Sequence, residues 1–140
     1  RILKILTEKS LTDEEDLLSV IASNPNCDEE IMDILIGSDD WSAKNNLAGN
    51  RVANLPILKR LITDEDFHDA IAGNPNCDEE IFSILIKSEA WGVHSSLASN
   101  EALPSSLFSE LLKLDDEDVN YYMAENPSTP KEILFKLNKK

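Results

Sequence analysis

Two tryptophans fifty residues apart, Trp41 and Trp91, and two histidines, His68 and His94, are the side chains of this 140-residue chain best equipped for chemistry. An indole offers a broad apolar face to a partner, and an imidazole titrates near neutrality and can exchange a proton. Their positions follow one rule. Counted back from an asparagine that recurs at Asn24, Asn50, Asn74, Asn100 and Asn126, the ninth residue is Glu15, Trp41, Glu65, Trp91 or Glu117. The sixth is Leu18, Lys44, His68, His94 or Asn120. On a helix these are i and i+3 neighbours, so Trp41 with Lys44, Glu65 with His68 and Trp91 with His94 make one row. Two uses of the row stand side by side: the tryptophans fill space between units beside the small Ala48 and Ala98, or they face a partner.

The histidines repeat with the unit and not with a catalytic geometry. The chain holds no Gly-x-Ser-x-Gly elbow, phosphate loop or His-Glu-x-x-His pair, so no catalytic residue is assigned and no enzymatic activity is expected. Cys27 and Cys77 occupy equivalent positions two units apart, beyond disulfide reach for helices packed at about 8 to 10 Å, and neither belongs to a Cys-x-x-Cys pair. They read as reduced thiols, which favours an intracellular compartment, with no metal and no cofactor. Acidic clusters at 13–16, 28–30, 39–40, 64–66, 78–80 and 115–118 fall where helices should begin, where carboxylates complement the helix dipole. None has the alternating oxygens and glycine of a calcium loop.

The five asparagines read as structural turn anchors. Asn24, Asn74 and Asn126 precede proline, which ends a helix and sets up a turn in which the side-chain oxygen accepts a backbone N–H two residues on; Asn50 and Asn100 lack that proline. Stacked over five units, they predict an internal ladder that satisfies turn backbone groups.

The elements that position these residues are repeats. The segments 21–50 and 71–100 are identical at 18 of 30 positions, and the asparagine spacings of 26, 24, 26 and 26 set a finer unit of half that length. Seven and three residues before each asparagine stand Leu17 with Ile21, Ala43 with Leu47, Phe67 with Ile71, Val93 with Leu97, and Val119 with Met123, an i, i+4 helical face. Seven and eleven after it stand Ile31 with Leu35, Ile57 with Leu61, Ile81 with Leu85, Leu107 with Leu111, and Ile133 with Leu137. Each unit therefore carries two short helices of about 8 to 11 residues that hold only by stacking on neighbours. The opening Ile2 and Leu6 read as the second helix of a partial unit. Asn54 before Pro56 and Thr129 before Pro130 read as caps, Ser38, Thr63 and Asp115 precede acidic helix starts, and Thr63 with Asp66 resembles a capping box. With no alternating strand pattern and four glycines, residues 1–140 form a single all-α domain of about five units.

The stretch ASNPNCDEEIMDILIGSDDWSAKNNLAGN and its copies resemble the leucine-rich repeat variant family, from about Leu11 to Leu137. The resemblance implies a right-handed superhelical solenoid of short paired helices, similar to armadillo and HEAT arrays, with no enzymatic activity. The arginine common in that family's units is replaced by Leu18, Lys44, His68, His94 and Asn120, so a basic stripe is almost absent, and no upstream iron–sulfur module is carried over.

Charge points the same way. Thirteen lysines and arginines against 27 acidic residues give a net charge of −14, which repels phosphate backbones and anionic lipid. No apolar run spans a bilayer. The chain opens on Arg1 and not Met, so a targeting segment could precede it; Lys136, Lys139 and Lys140 read as a polar end cap. The expectation is a monomeric cytoplasmic scaffold for protein–protein interaction, whose partner carries basic groups and meets Trp41, Lys44, Glu65, His68, Trp91 and His94. The alternatives are a supporting segment of a larger protein and, less favoured, a HEAT-like nucleic-acid-handling protein.

Overall fold

The computed structural model describes residues 15–140, and every regular element among them is a helix. Ile2, Leu6 and the acidic residues before Glu15 lie outside the described residues. In chain order the elements are α1 (Glu15–Ala22), α2 (Glu29–Gly37), α3 (Trp41–Gly49), α4 (Leu55–Leu61), the 3₁₀ turn η1 (Glu65–Phe67), α5 (His68–Ala72), α6 (Glu79–Leu85), α7 (Val93–Ser99), the 3₁₀ turn η2 (Ser105–Leu107), α8 (Phe108–Leu112), α9 (Glu117–Glu125) and α10 (Lys131–Leu137). The α-helices run from five to nine residues: α1, α2, α3 and α9 reach the expected eight or nine, four others have seven, and the two shortest, α5 and α8, have their first turn taken up by η1 and η2.

Each unit contributes a first helix (α1, α3, α5, α7, α9) and a second (α2, α4, α6, α8, α10). The first helices pack in series, α1 on α3, α3 on α5, α5 on α7 and α7 on α9, and each also meets the second helix of its own unit. The apolar positions of the repeat form the contact layer. Ala43, Leu47, Ile71, Val93, Leu97, Leu35, Ile81, Leu85 and Leu111 have no exposed surface. A leucine buried so fully contributes roughly 1.5 to 3 kcal/mol, which is what compensates helices too short to persist alone. In α1 Leu18, Ile21 and Ala22 are buried while Leu17 is only half-buried, and Leu107 and Leu137 are likewise half-buried.

Aspartate N-caps start four of the α-helices. The carboxylates of Asp28, Asp40, Asp78 and Asp116 accept the N–H groups of Ile31, Ala43, Ile81 and Val119 at 2.9 to 3.0 Å, and Asn54 does the same for Ile57 at 3.1 Å with Pro56 in the first turn. Four other expected caps are corrected. Ser38 and Thr63 instead donate their hydroxyls back to the carbonyls of Leu35 and Arg60, so they finish the preceding helix, and Asp40 and Asp64 take the cap positions. Thr63 and Asp66 form no capping box; Asp64 accepts from the Asp66 N–H. Asp115 sits at φ 53 and pairs with Lys140, while Asp116 caps α9. Thr129 turns inward to the Met123 carbonyl at 2.5 Å, leaving Pro130 at the cap of α10.

Candidate interaction site

The five asparagines organise the face on which the site lies. Each side-chain oxygen accepts the N–H two residues on, in Asn26, Val52, Asn76, Ala102 and Ser128, at 2.8 to 3.1 Å. The amide groups act across units. Asn50 donates to the carbonyls of Ala22 and Asn24, Asn74 to Ala48 and Asn50, Asn100 to Ala72 and Asn74, and Asn126 to Ala98 and Asn100. These carbonyls end one first helix, so the ladder satisfies orphaned acceptors and fixes each first helix against the next.

The predicted row of tryptophans and histidines divides in two. Trp41 is 52% exposed and Trp91 93%, so neither packs in the core beside Ala48 or Ala98. Glu65 is exposed and Lys44 half-buried. His68 turns inward and is removed from the partner-facing stripe. Its Nε2–H donates to the Ile62 carbonyl at 2.9 Å, and its Nδ1 is hydrogen-bonded to the Ser88 hydroxyl at 2.9 Å, so both ring nitrogens are used within the fold. His94, half-buried, donates through Nε2 to the Ile86 carbonyl at 3.1 Å. Ile62 and Ile86 are the C-caps of α4 and α6, so both histidines tie a first helix to the end of the second helix before it.

Helical geometry explains the division. At about 100° per residue, the position six before each asparagine lies nearer the buried stripe, and the positions nine and five before point away from it. The outward companion of each tryptophan position is therefore Ser19, Asn45, Asp69, Ser95 or Tyr121, not a histidine.

Trp91 owes its exposure to a local change in the repeat. Asp40 caps α3 so that Trp41 is its first helical residue, where its ring stacks on Phe67 with centroids 6.2 Å apart. Ala90 stands in place of that aspartate and cannot cap. The chain instead turns through Gly92 at φ 83, α7 begins at Val93, and Trp91 remains in the turn outside the helix. Gly92 is favoured there by its backbone angle. A left-handed φ disfavours side chains, and a Cβ would stand 3.0 Å from the Asp69 carboxylate, which accepts the Ser96 hydroxyl at 2.5 Å.

Beside Trp91 opens a groove of about 680 Å³, lined by α7, the start of α9 and the outer edge of α5. Asp69, Glu89, Asp116 and Asp118 line it, with the aromatic residues Trp91 and Tyr122. Tyr122 packs edge-on against Tyr121, whose hydroxyl donates to Glu125 at 2.8 Å, a bond that pushes the Tyr121 phenol above its usual pKa. Among the described residues no lysine or arginine lines the groove, and none pairs with its four carboxylates.

The sequence pattern singled out Trp91 and His94 of this groove and passed over Asp69, Glu89 and Tyr122. Asp69 is the i, i+4 companion of Glu65 at the tryptophan position, so that register finds it; Glu89 and Tyr122 lie outside that register and the repeat gives no signal for them. Cys27 and Cys77 are free thiols, and no cluster of three histidine, cysteine or acidic side chains among the described residues could hold a metal ion. No described helix is long and apolar enough to cross a membrane.

Comparison with known proteins adds no relative: no protein-family model, curated protein or solved structure matches this chain.

Proposed function

We propose that the chain is a non-enzymatic, right-handed α-solenoid of the leucine-rich repeat variant kind, a monomeric cytoplasmic scaffold that binds a protein partner bearing basic groups. The serial packing of first helices on first helices, held by the asparagine ladder, supports the solenoid. One observation carries the function. Indoles 52% and 93% exposed stand on the first-helix side of a chain with net charge −14, and the more exposed one borders a carboxylate-lined groove. Exposed aromatics supply contact area at low conformational cost, and uncompensated carboxylates attract and orient cationic partners. The same charge disfavours nucleic acid.

The test is a pull-down from source lysate comparing the wild type with a Trp41→Ala/Trp91→Ala variant whose circular dichroism is unchanged. Specific partners captured by the wild type and lost by the variant support the scaffold. Partners retained by both move the interface off the aromatic face. Exposed Leu134 and Phe135 on α10 favour a second reading, a supporting segment that packs on another domain, and capture of nothing by either protein supports it.

A further inference from the structure

From the groove beside Trp91 we infer a binding site for an arginine side chain of the partner, an assignment that rests on the scaffold reading above. Two features of the groove select this ligand. Four acidic residues, Asp69, Glu89, Asp116 and Asp118, from three successive units line the groove with no described cation among them; one oxygen of Asp69 accepts the Ser96 hydroxyl and one of Asp116 the Val119 N–H, which leaves their other oxygens and both of Glu89 and Asp118 for a ligand. Two aromatic rings, Trp91 and Tyr122, share the same walls, and the indole is 93% exposed, so its face is available for stacking. A guanidinium is planar and weakly hydrated; it stacks on an aromatic face while its N–H groups fork to carboxylates at its edge. An ammonium is a compact, strongly hydrated point charge and uses the rings less well.

The matching place beside Trp41 shows what the groove adds. There the residues equivalent to Asp69, His94 and Tyr122 are Ser19, Lys44 and Ala70. A carboxylate and a second ring are missing, a cation is present, and the Trp41 ring is already stacked on Phe67. The two tryptophans fifty residues apart are thus not equivalent: the guanidinium belongs to Trp91.

The experiment titrates the intact chain with acetylated, amidated Ser-Gly-Arg-Gly-Ser and with its lysine and citrulline counterparts. Binding is followed by the two indole N–H signals in a ¹H–¹⁵N correlation spectrum, assigned with Trp41→Phe. The arginine peptide should move the Trp91 signal in a saturable way and leave Trp41 nearly still. The lysine peptide should bind at least about threefold more weakly, and the neutral citrulline peptide should not bind. Glu89→Gln/Asp118→Asn, which keeps size and shape, should raise the Kd about tenfold with the rest of the spectrum unchanged. Tyr122→Ala gives an independent check by weakening the same titration. An unmoved Trp91 signal, equal binding of citrulline, or lysine binding as tight as arginine overturns the assignment. Shifts confined to Trp41 or to the second helices also overturn it but leave the scaffold standing. The scaffold reading itself falls only on the pull-down with the double tryptophan variant.

Discussion

The side-chain amide of Asn100 donates to the backbone carbonyl of Asn74 at 3.0 Å, while its oxygen accepts the N–H of Ala102 at 2.9 Å. One residue thereby shapes its own turn and clamps that turn to the equivalent turn of the unit before. The relation passes from unit to unit: Asn126 holds Asn100, Asn74 holds Asn50, and Asn50 holds Asn24. Hydrophobic contact alone leaves stacked helices free to slide, because apolar surface is not directional. A ladder of directional bonds at a fixed register sets the rise and orientation of successive units. The face carrying Trp41, Trp91 and the acidic groove inherits its geometry from that ladder.

Asn74→Ala should destabilise the fold by about 2 to 4 kcal/mol. Asn74 is fully buried, and the change removes its bonds to the Ala48 and Asn50 carbonyls and the Asn76 N–H, leaving groups desolvated without partners. Asn74→Asp keeps the acceptor but loses both amide donations and sets a carboxylate against two carbonyls, so it should be at least as damaging. Urea denaturation followed by circular dichroism measures both. A loss within experimental error of zero would remove the ladder as a source of stability.

Most of the framework was legible from spacing because the repeat states it five times over. The asparagine period and the i, i+4 apolar pairs predict the helices and their buried faces, and Ile31, Leu47, Ile71, Leu85 and Met123 lie in the core. Helix starts were legible only to within a residue or two. In runs such as Ser38-Asp39-Asp40 and Thr63-Asp64-Glu65 several side chains can cap, and the chain path decides which one reaches the N–H. The groove was legible in part. Its residues come from three units, and its decisive feature, a turn through Gly92 in place of an Asp40-type cap, depends on two changes between the copies, Ala90 where the other has Asp40 and Gly92 where it has Ser42. His68 misled for a physical reason: a histidine can serve a partner or close a C-terminal turn, and only the position of the Ile62 carbonyl distinguishes the two.

Gly92→Ala should cost about 1 to 2 kcal/mol, since alanine is strained at φ 83 and its methyl would crowd the Asp69 carboxylate at 3.0 Å. Gly49→Ala is the control: a Cβ there meets nothing within 4 Å on a helical residue, so stability should rise by up to about 1 kcal/mol. Opposite signs for the two changes in thermal denaturation are the expected result. A neutral Gly92→Ala would mean that the turn before α7 is not built on the left-handed glycine.

The two thiols should resist alkylation and make stability fall in alkali. Burial, and then the neighbouring Asp28, raises Cys27 from 9.0 to about 11; burial, and then Asp78, raises Cys77 to about 12. The folded chain therefore holds these protons more tightly than the unfolded chain. Stability is fully present below pH 9 and is lost as pH rises through the window from 9 to about 12. Iodoacetamide at pH 8 should label both cysteines slowly in buffer and quickly in urea, because only the thiolate reacts. Equal rates in the two conditions would refute the protection.

The exposure of the two indoles can be separated by quenching. In Trp41→Phe the remaining Trp91 is 93% exposed, so acrylamide should quench it almost as efficiently as it quenches the urea-unfolded chain. In Trp91→Phe the remaining Trp41 is 52% exposed and stacked on Phe67, so the quenching constant should be roughly half as large, with emission further to the blue. Adding the Ser-Gly-Arg-Gly-Ser peptide should protect Trp91 and leave Trp41 quenched as before, because a stacked guanidinium covers the indole face. If Trp91 is shielded in the free protein to the same degree as Trp41, the turn through Gly92 does not release it. In that case the groove lacks the open aromatic wall on which arginine recognition depends.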